Sequence, residues 1–316
     1  MLTLLSLVTD TAAAAGTLAA PFEGLTWAAF RQLLVNGLAF GSLYALTAFG
    51  IVLIYKTTDV VTFAQGEMAM FSTFVTYTLL SRAKLPFALA FALTLLFAGL
   101  LGVLVERFVI RPVGGSLLNP VIVTIGLGLV LYGLAGRIWG YETETFPPPI
   151  GGPAVLVGGV AFTRLNVLIL AVTIALMVVL FLFFRYTLTG TAMRAVAQNR
   201  LAARLMGISV DRINMLGWGL GTALGATTGV MIASLNTYVD PAMMGDVAVK
   251  AFAAAVLGGL TSLPGAVLGG LTLGVIDSVV GYDYPGLRTT IAFVLIVLVL
   301  AIRPAGLLGK HVIKKV

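Results

Sequence analysis

Long uncharged, apolar stretches follow one another along the chain, divided by short polar breaks. Taking each stretch as one element gives 30–55, 60–81, 86–106, 117–137, 165–185, 213–236, a paired segment 251–281, and 288–303. A helix needs about 20 apolar residues to cross roughly 30 Å of hydrocarbon. Strands of a membrane barrel alternate polar and apolar residues, and these stretches do not. The pattern predicts an all-α, polytopic integral membrane helical bundle with about nine transmembrane segments, eight to ten being allowed.

The paired segment is assigned from the charges around it. Residues Ala251 to Ile276 are uncharged, with Leu263-Pro264-Gly265 as the one break signal. The loop 185–212 carries Arg185, Arg194, Arg200, Arg204 and Arg212 against a single acid, Asp211, and the C-terminus carries Lys310, His311, Lys314 and Lys315. Basic residues mark cytoplasmic loops, so both regions are expected inside the cell. That requires 251–281 to enter and leave on one side, as two short spans or a re-entrant pair bent at Pro264. Tracing backwards places Arg107 and Arg111 inside, and the acidic, proline-rich loop 140–163 and the N-terminus outside.

This organisation gives an N-terminal extension 1–25, a transmembrane domain 26–310 with a cytoplasmic loop at 186–212, and a basic tail 311–316. Residues 1–22 fit a cleaved signal, an additional helix or a misplaced start equally well.

Composition then narrows the function. Of 316 residues 59% are hydrophobic and 10% charged, against about 25% charged in an ordinary soluble domain. A soluble catalytic domain is excluded. With no cysteine and one histidine, His311, disulfides, iron–sulfur clusters and His/Cys zinc sites are excluded too. Gly309-Lys310 is followed by His311, so there is no phosphate-binding P-loop. Catalytic triads and paired acids are likewise missing. The expectation is a transport or channel protein with no catalytic residue, no metal and no cofactor of its own, and with membrane lipid rather than nucleic acid around it.

The 37 glycines include many pairs four residues apart, among them Gly37/Gly41, Gly217/Gly221, Gly225/Gly229, Gly265/Gly269 and Gly270/Gly274. Small residues at this spacing let helix backbones approach closely in lipid. They serve either as packing faces or as surfaces on which helices slide. Two acids, Glu67 and Asp277, lie within apolar stretches, where a charge costs at least about 2.5–3.5 kcal/mol unless it meets a cavity or a partner. For both, a structural pairing and a place on a transport path stand as alternatives.

Residues 191–206 read as an amphipathic helix, with Met193, Val196, Leu201 and Leu205 on one side and Arg194, Arg200 and Arg204 over the rest. Gly207 is expected to stop it. Such a helix lies on anionic lipid or docks a cytoplasmic partner.

GLAFGSLYALTAFGIVLIYKTTDVVTFAQGEMAM (37–70), VERFVIRPV (105–113), AMRAVAQNRLAARLMGISVDRIN (192–214), VLGGLTSLPGAVLGG (256–270) and RPAGLLG (303–309) resemble the permease subunits of branched-chain amino acid ABC importers, of the LivH type. The resemblance runs from about residue 30 to 309 and leaves out the first 25 or so residues. It implies an ABC importer permease in the cell inner membrane, paired with a second, LivM-like permease. Two cytoplasmic ATPases that use ATP and magnesium, and a periplasmic or extracellular substrate-binding protein, complete the importer. It also implies that Ala192 to Asn214 is the coupling region, with Arg194, Ala197, Gln198, Asn199, Arg200, Arg204 and Gly207 contacting the ATPase. Thr62 and Gln65 stand where family members often carry asparagine and histidine, so urea, short amides or other amino acids remain alternative substrates.

The expected pore is mostly apolar, with Asn36, Ser42, Tyr44, Gln65, Glu67, Thr124 and Asp277 as candidate path residues. The rival is an ion-coupled secondary transporter in which Glu67 and Asp277 carry protons or cations.

Overall fold

A computed structural model describes residues 26–113, 118–157, 159–303 and 305–309. The extension 1–25 and the tail 311–316, with His311, lie outside the described residues, as do Lys310 and Pro304.

The helices are α1 (Trp27–Thr58), α2 (Gln65–Ser81), α3 (Phe87–Leu104), α4 (Leu118–Trp139), α5 (Arg164–Tyr186), α6 (Leu188–Gln198), α7 (Arg200–Leu205), α8 (Val210–Asn236), α9 (Gly245–Gly258), α10 (Leu263–Asp283) and α11 (Arg288–Ile302). Among the described residues, seven helices are long and apolar enough to cross a membrane: α1, α3 with its continuation to Ile110, α4, α5, α8, α10, and α11 with the turn before it. The expected total of about nine needs two shorter helices as well, the 17-residue α2 and the 14-residue α9.

Local chemistry sets the ends. The Thr26, Thr163 and Ser262 side chains accept hydrogen bonds from the backbone amides of Ala29, Asn166 and Gly265, capping α1, α5 and α10. At its far end α1 closes on Asp59, which takes a left-handed φ of 56° and returns its amide to the Tyr55 carbonyl at 2.7 Å. The uncharged run around Pro264 does break, but at Gly259–Ser262, and Pro264 sits inside the first turn of α10, where its missing N–H leaves no bond unmade. The first helix of the pair also starts earlier than expected, at Gly245.

Helices α1 and α8 form the centre. Their most apolar stretches are 89% and 78% buried, against 17% for α5 and 6% with α11. The peripheral pair turn apolar side chains such as Ile174, Val179, Val297 and Ile302 outward, a surface suited to lipid. Helix α10 runs antiparallel to α1 at very short range. A Cβ on Gly274 would fall 2.1 Å from the Gly41 Cα, and one on Gly270 would fall 2.4 Å from the Ala45 backbone. The glycine spacing here marks a packing face.

Two antiparallel strand pairs gather at one end of the bundle. β1 (Glu144–Thr145) pairs with β4 (Tyr238–Val239), Glu144 opposite Val239. β2 (Val155–Val157) pairs with β3 (Val160–Phe162). Gln32 holds β3 against α1 by bonds of 2.9 and 2.8 Å with the backbone of Ala161. Helices α6 and α7 lie at the opposite end, between α5 and α8.

The single amphipathic helix expected over 191–206 is two. Asn199 leaves the helical region at φ −156° and ψ 108°, and its side chain accepts from the Ala202 amide at 2.9 Å, which starts α7. The break separates the expected apolar face. Met193 and Val196 are buried, while Leu201 and Leu205 are 70% and 81% exposed.

Candidate functional site

At the strand-bearing end a cavity of about 470 Å³ opens between α1, α8, α9, α10 and the start of α11. Helix α9 contributes Asp246 and Lys250 one turn apart, α10 contributes Asp277, and α1 contributes Tyr44. Lys250 Nζ lies 2.7 Å from Asp246 Oδ2 and 2.9 Å from Asp277 Oδ1. The Tyr44 hydroxyl donates to Asp277 Oδ2 at 3.2 Å, and the ammonium sits 5.8 Å from the Tyr44 ring centroid. Lys250 and Asp277 are 3% and 7% exposed. At that depth, removing Lys250 strands the Asp277 carboxylate, which costs about 3–5 kcal/mol, whereas Lys250 keeps Asp246 as a second partner. The pair ties α9 to α10.

The rim is more open. The Asp246 side chain is 51% exposed and also accepts from the Thr289 hydroxyl. Arg288 is exposed and donates to the Gly281 carbonyl at 3.2 Å. A second cavity of about 280 Å³ shares Phe40, Asp277 and Arg288 with the first and adds Asn36. Asn36 Oδ1 accepts from Gln32 at 3.3 Å and Asn166 at 3.2 Å.

Of the seven candidate path residues, the fold therefore gathers Asn36, Tyr44 and Asp277. The other four lie apart from both cavities. Ser42 donates to the Ala39 carbonyl at 2.8 Å, and Thr124 donates to that of Val121 at 2.8 Å while accepting from the Phe63 amide. Gln65 bridges to α8 through the Gly221 carbonyl at 2.8 Å. Glu67 packs over Gly128 of α4, with Oε2 buried and without a hydrogen-bond partner among the described residues.

Lys250, Asp246 and Arg288 were missed by sequence reasoning. Lys250 directly precedes the uncharged run and reads as its edge, although its spacing from Asp246 is that of an i,i+4 ion pair.

A second polar cluster occupies the end with α6 and α7. After Leu104 the chain of α3 continues as a π-helical turn, Val105–Ile110, in which the Arg111 amide bonds the Glu106 carbonyl at 2.8 Å. This turn places buried Glu106 against Arg111 at 3.0 Å. Arg111 reaches Asp211 at 3.6 Å, and Arg204 reaches Asp211 at 3.9 Å. Arg200 donates to the Thr57 carbonyl and lies 3.4 Å from Asp59.

Arg200 thus faces the bundle, whereas Arg204 is exposed beside Asp211. Arg194, Gln198, Asn199 and Gly207 are exposed, Ala197 is half-buried, and Arg194 bonds the Thr191 hydroxyl at 3.2 Å. Around them Tyr186, Leu188, Leu201, Leu205 and Met206 are each at least 70% exposed. Together they form an exposed apolar surface with basic groups at its margin.

Residues 33–302 match the family described as branched-chain amino acid transport system / permease component. The chain is 34% identical over 304 residues to the high-affinity branched-chain amino acid transport system permease protein BraD of Pseudomonas aeruginosa, covering 91% of this chain and 98% of that one. It is 32% identical over 301 residues to LivH of Escherichia coli K12, with coverage of 91% and 98%. It is 27% identical over 302 residues to a probable LivH permease of Methanocaldococcus jannaschii, with coverage of 88% and 92%. The chain belongs to the branched-chain amino acid transport permease family.

Proposed function

We propose that the protein is the permease subunit of an ATP-driven importer in the cell inner membrane that carries branched-chain amino acids. Its similarity over 91% of its length to permeases of that printed activity carries the substrate class. The strand-bearing end faces outward and meets a substrate-binding protein. The end with α6 and α7 faces the cytoplasm, where the loop 186–212 seats on an ATPase, and the basic tail 311–316 lies on the same side. A second, LivM-like permease completes the pathway, and two ATPases supply ATP and magnesium chemistry that this chain has no motif for. In this reading the domain runs from 26 to 310, with α2 and the short α9 counted among nine passes.

The single observation that supports the motor contact is the exposed apolar patch of Leu188, Leu201, Leu205 and Met206 beside Arg194. Closing a pair of ATPases can shift the permease between two states only if the contact differs between them. Exposed side chains on two short helices, fixed to α1 through Arg200 and to α8 through Arg204, suit that task.

The test is uptake of labelled leucine, valine and urea into vesicles holding the complete complex, with ATP inside and the binding protein outside. Leucine and valine uptake that needs both is expected. Uptake of urea alone, or uptake driven by an ion gradient with this chain alone, overturns the proposal.

A further inference from the structure

The cavity at the strand-bearing end carries more charge than the passage of an aliphatic side chain requires. Asp240, Asp246 and Asp277 line it together with Lys250 and Arg288. Buried ionisable groups in a membrane bundle are expensive and are kept where they bind, relay or pair. Lys250 and Asp277 answer one another as a buried pair at 2.9 Å and form a fixed floor. The remaining charges stand at the rim, where the Asp246 carboxylate also holds Lys250 at 2.7 Å. Asp246 is half exposed, Arg288 is exposed, and Asp240 is half-buried with Oδ1 held by the Ala242 amide at 2.7 Å. Phe40, Ile232 and Val247 line the same space.

Opposite charges at the rim, an apolar wall beside them and a volume inside the range of about 300–1,000 Å³ usual for small-ligand sites match one chemical class. We infer that the cavity is a transit site for an aliphatic amino acid in its zwitterionic form. The α-carboxylate pairs with Arg288, whose planar guanidinium suits a carboxylate. The α-ammonium pairs with Asp246 and Asp240, and the side chain lies against Phe40, Ile232 and Val247. Three carboxylates to two cations disfavour a dicarboxylic substrate, and a neutral molecule such as urea offers Arg288 no counter-charge. This inference rests on the proposed import of branched-chain amino acids and adds where in this chain the substrate is held.

Saturation-transfer NMR of leucine at millimolar concentration on the purified permease–ATPase complex, without binding protein, tests it. A saturable leucine signal is expected, displaced by valine. Leucinamide, which lacks the carboxylate, and 4-methyl-2-oxopentanoate, which lacks the ammonium, should compete about tenfold less well, the worth of one charge-assisted bond. Arg288→Gln and Asp246→Asn should each weaken leucine about tenfold by the same reasoning, with Arg288→Lys between. No saturable signal, a signal that neither substitution alters, or competition by both analogues as strong as that of valine overturns the site. If Arg288→Gln does not assemble, Asp246→Asn and the two competitors decide. ATP-driven leucine uptake by the unmodified complex is measured alongside. Its absence overturns the proposed function, whereas its presence without a substitution-sensitive signal overturns this site alone.

Discussion

Arg200 Nη2 donates to the backbone carbonyl oxygen of Thr57 at 2.7 Å, fastening the first residue of α7 to the last turn of the central helix α1. Together with buried Ala203, which shares an apolar cluster with Leu46, Phe49 and Leu53 of α1, this bond links α7 to the most buried helix of the bundle. Arg200→Ala is expected to lower uptake per ATP hydrolysed by about threefold or more, the lower end for a half-exposed charged hydrogen bond. Parallel uptake and phosphate-release assays give the ratio, and an unchanged ratio rules this tie out as a transmitter.

Gly207 adopts φ +80°, and a Cβ there would meet nothing within 4 Å. Only the backbone conformation restricts the position. Gly207→Val is expected to strain the turn between α7 and α8 by about 1–2 kcal/mol and to uncouple hydrolysis from uptake, whereas Gly207→Asn tolerates the left-handed region. Equal coupling in both variants would remove this turn from the account.

Lys250→Met alone leaves Asp277 buried without its cation, so a loss of about 3–5 kcal/mol is expected, while Lys250→Met with Asp277→Leu should recover most of it. Thermal unfolding of the detergent-solubilised complex reports both. A double variant no more stable than the single one contradicts the pairing.

Gly274→Val should prevent α1 and α10 from closing, because the added Cβ would fall 2.1 Å from the Gly41 Cα. Gly126→Ala, with nothing within 4 Å, should be silent. Immunoblots of membrane fractions separate the two, and similar abundance would contradict the close helix contact.

The sequence has no cysteine, so single thiols label without background. Leu201→Cys is expected to react with an impermeant maleimide only from the cytoplasmic side, and Glu142→Cys only from outside. The reverse pattern would invert the proposed orientation.

The bundle was readable in the sequence because charges and unpaired backbone groups are costly in hydrocarbon, so long apolar helical runs declare themselves. What escaped were details set by single residues. Asn199 is a helix-capping residue directly before Arg200, yet Met193, Val196, Leu201 and Leu205 can share one side of a single helix, which concealed the break. Glu106 sits between Val105 and Arg107 and looked like a membrane edge. Only the π-helical turn, invisible to a 3.6-residue period, brings it under Arg111. Asp277 stood out as an acid within an apolar run, but its partner Lys250 comes from another helix, 27 positions earlier in the numbering of the chain. Ser42, Gln65 and Thr124 bond carbonyls, partners that a polar side chain in an apolar helix does not announce in the sequence.

The two-residue ladder between β1 and β4 has a mechanical meaning. Glu144 faces Val239 across it, and the residue after Val239 is Asp240, on the cavity rim. On the other strand, Glu144 also accepts from the Tyr77 hydroxyl of α2 at 2.9 Å. The loop 140–163 and the cavity rim are thus joined by backbone pairing, and a load on that loop falls on a segment that adjoins Asp240 directly.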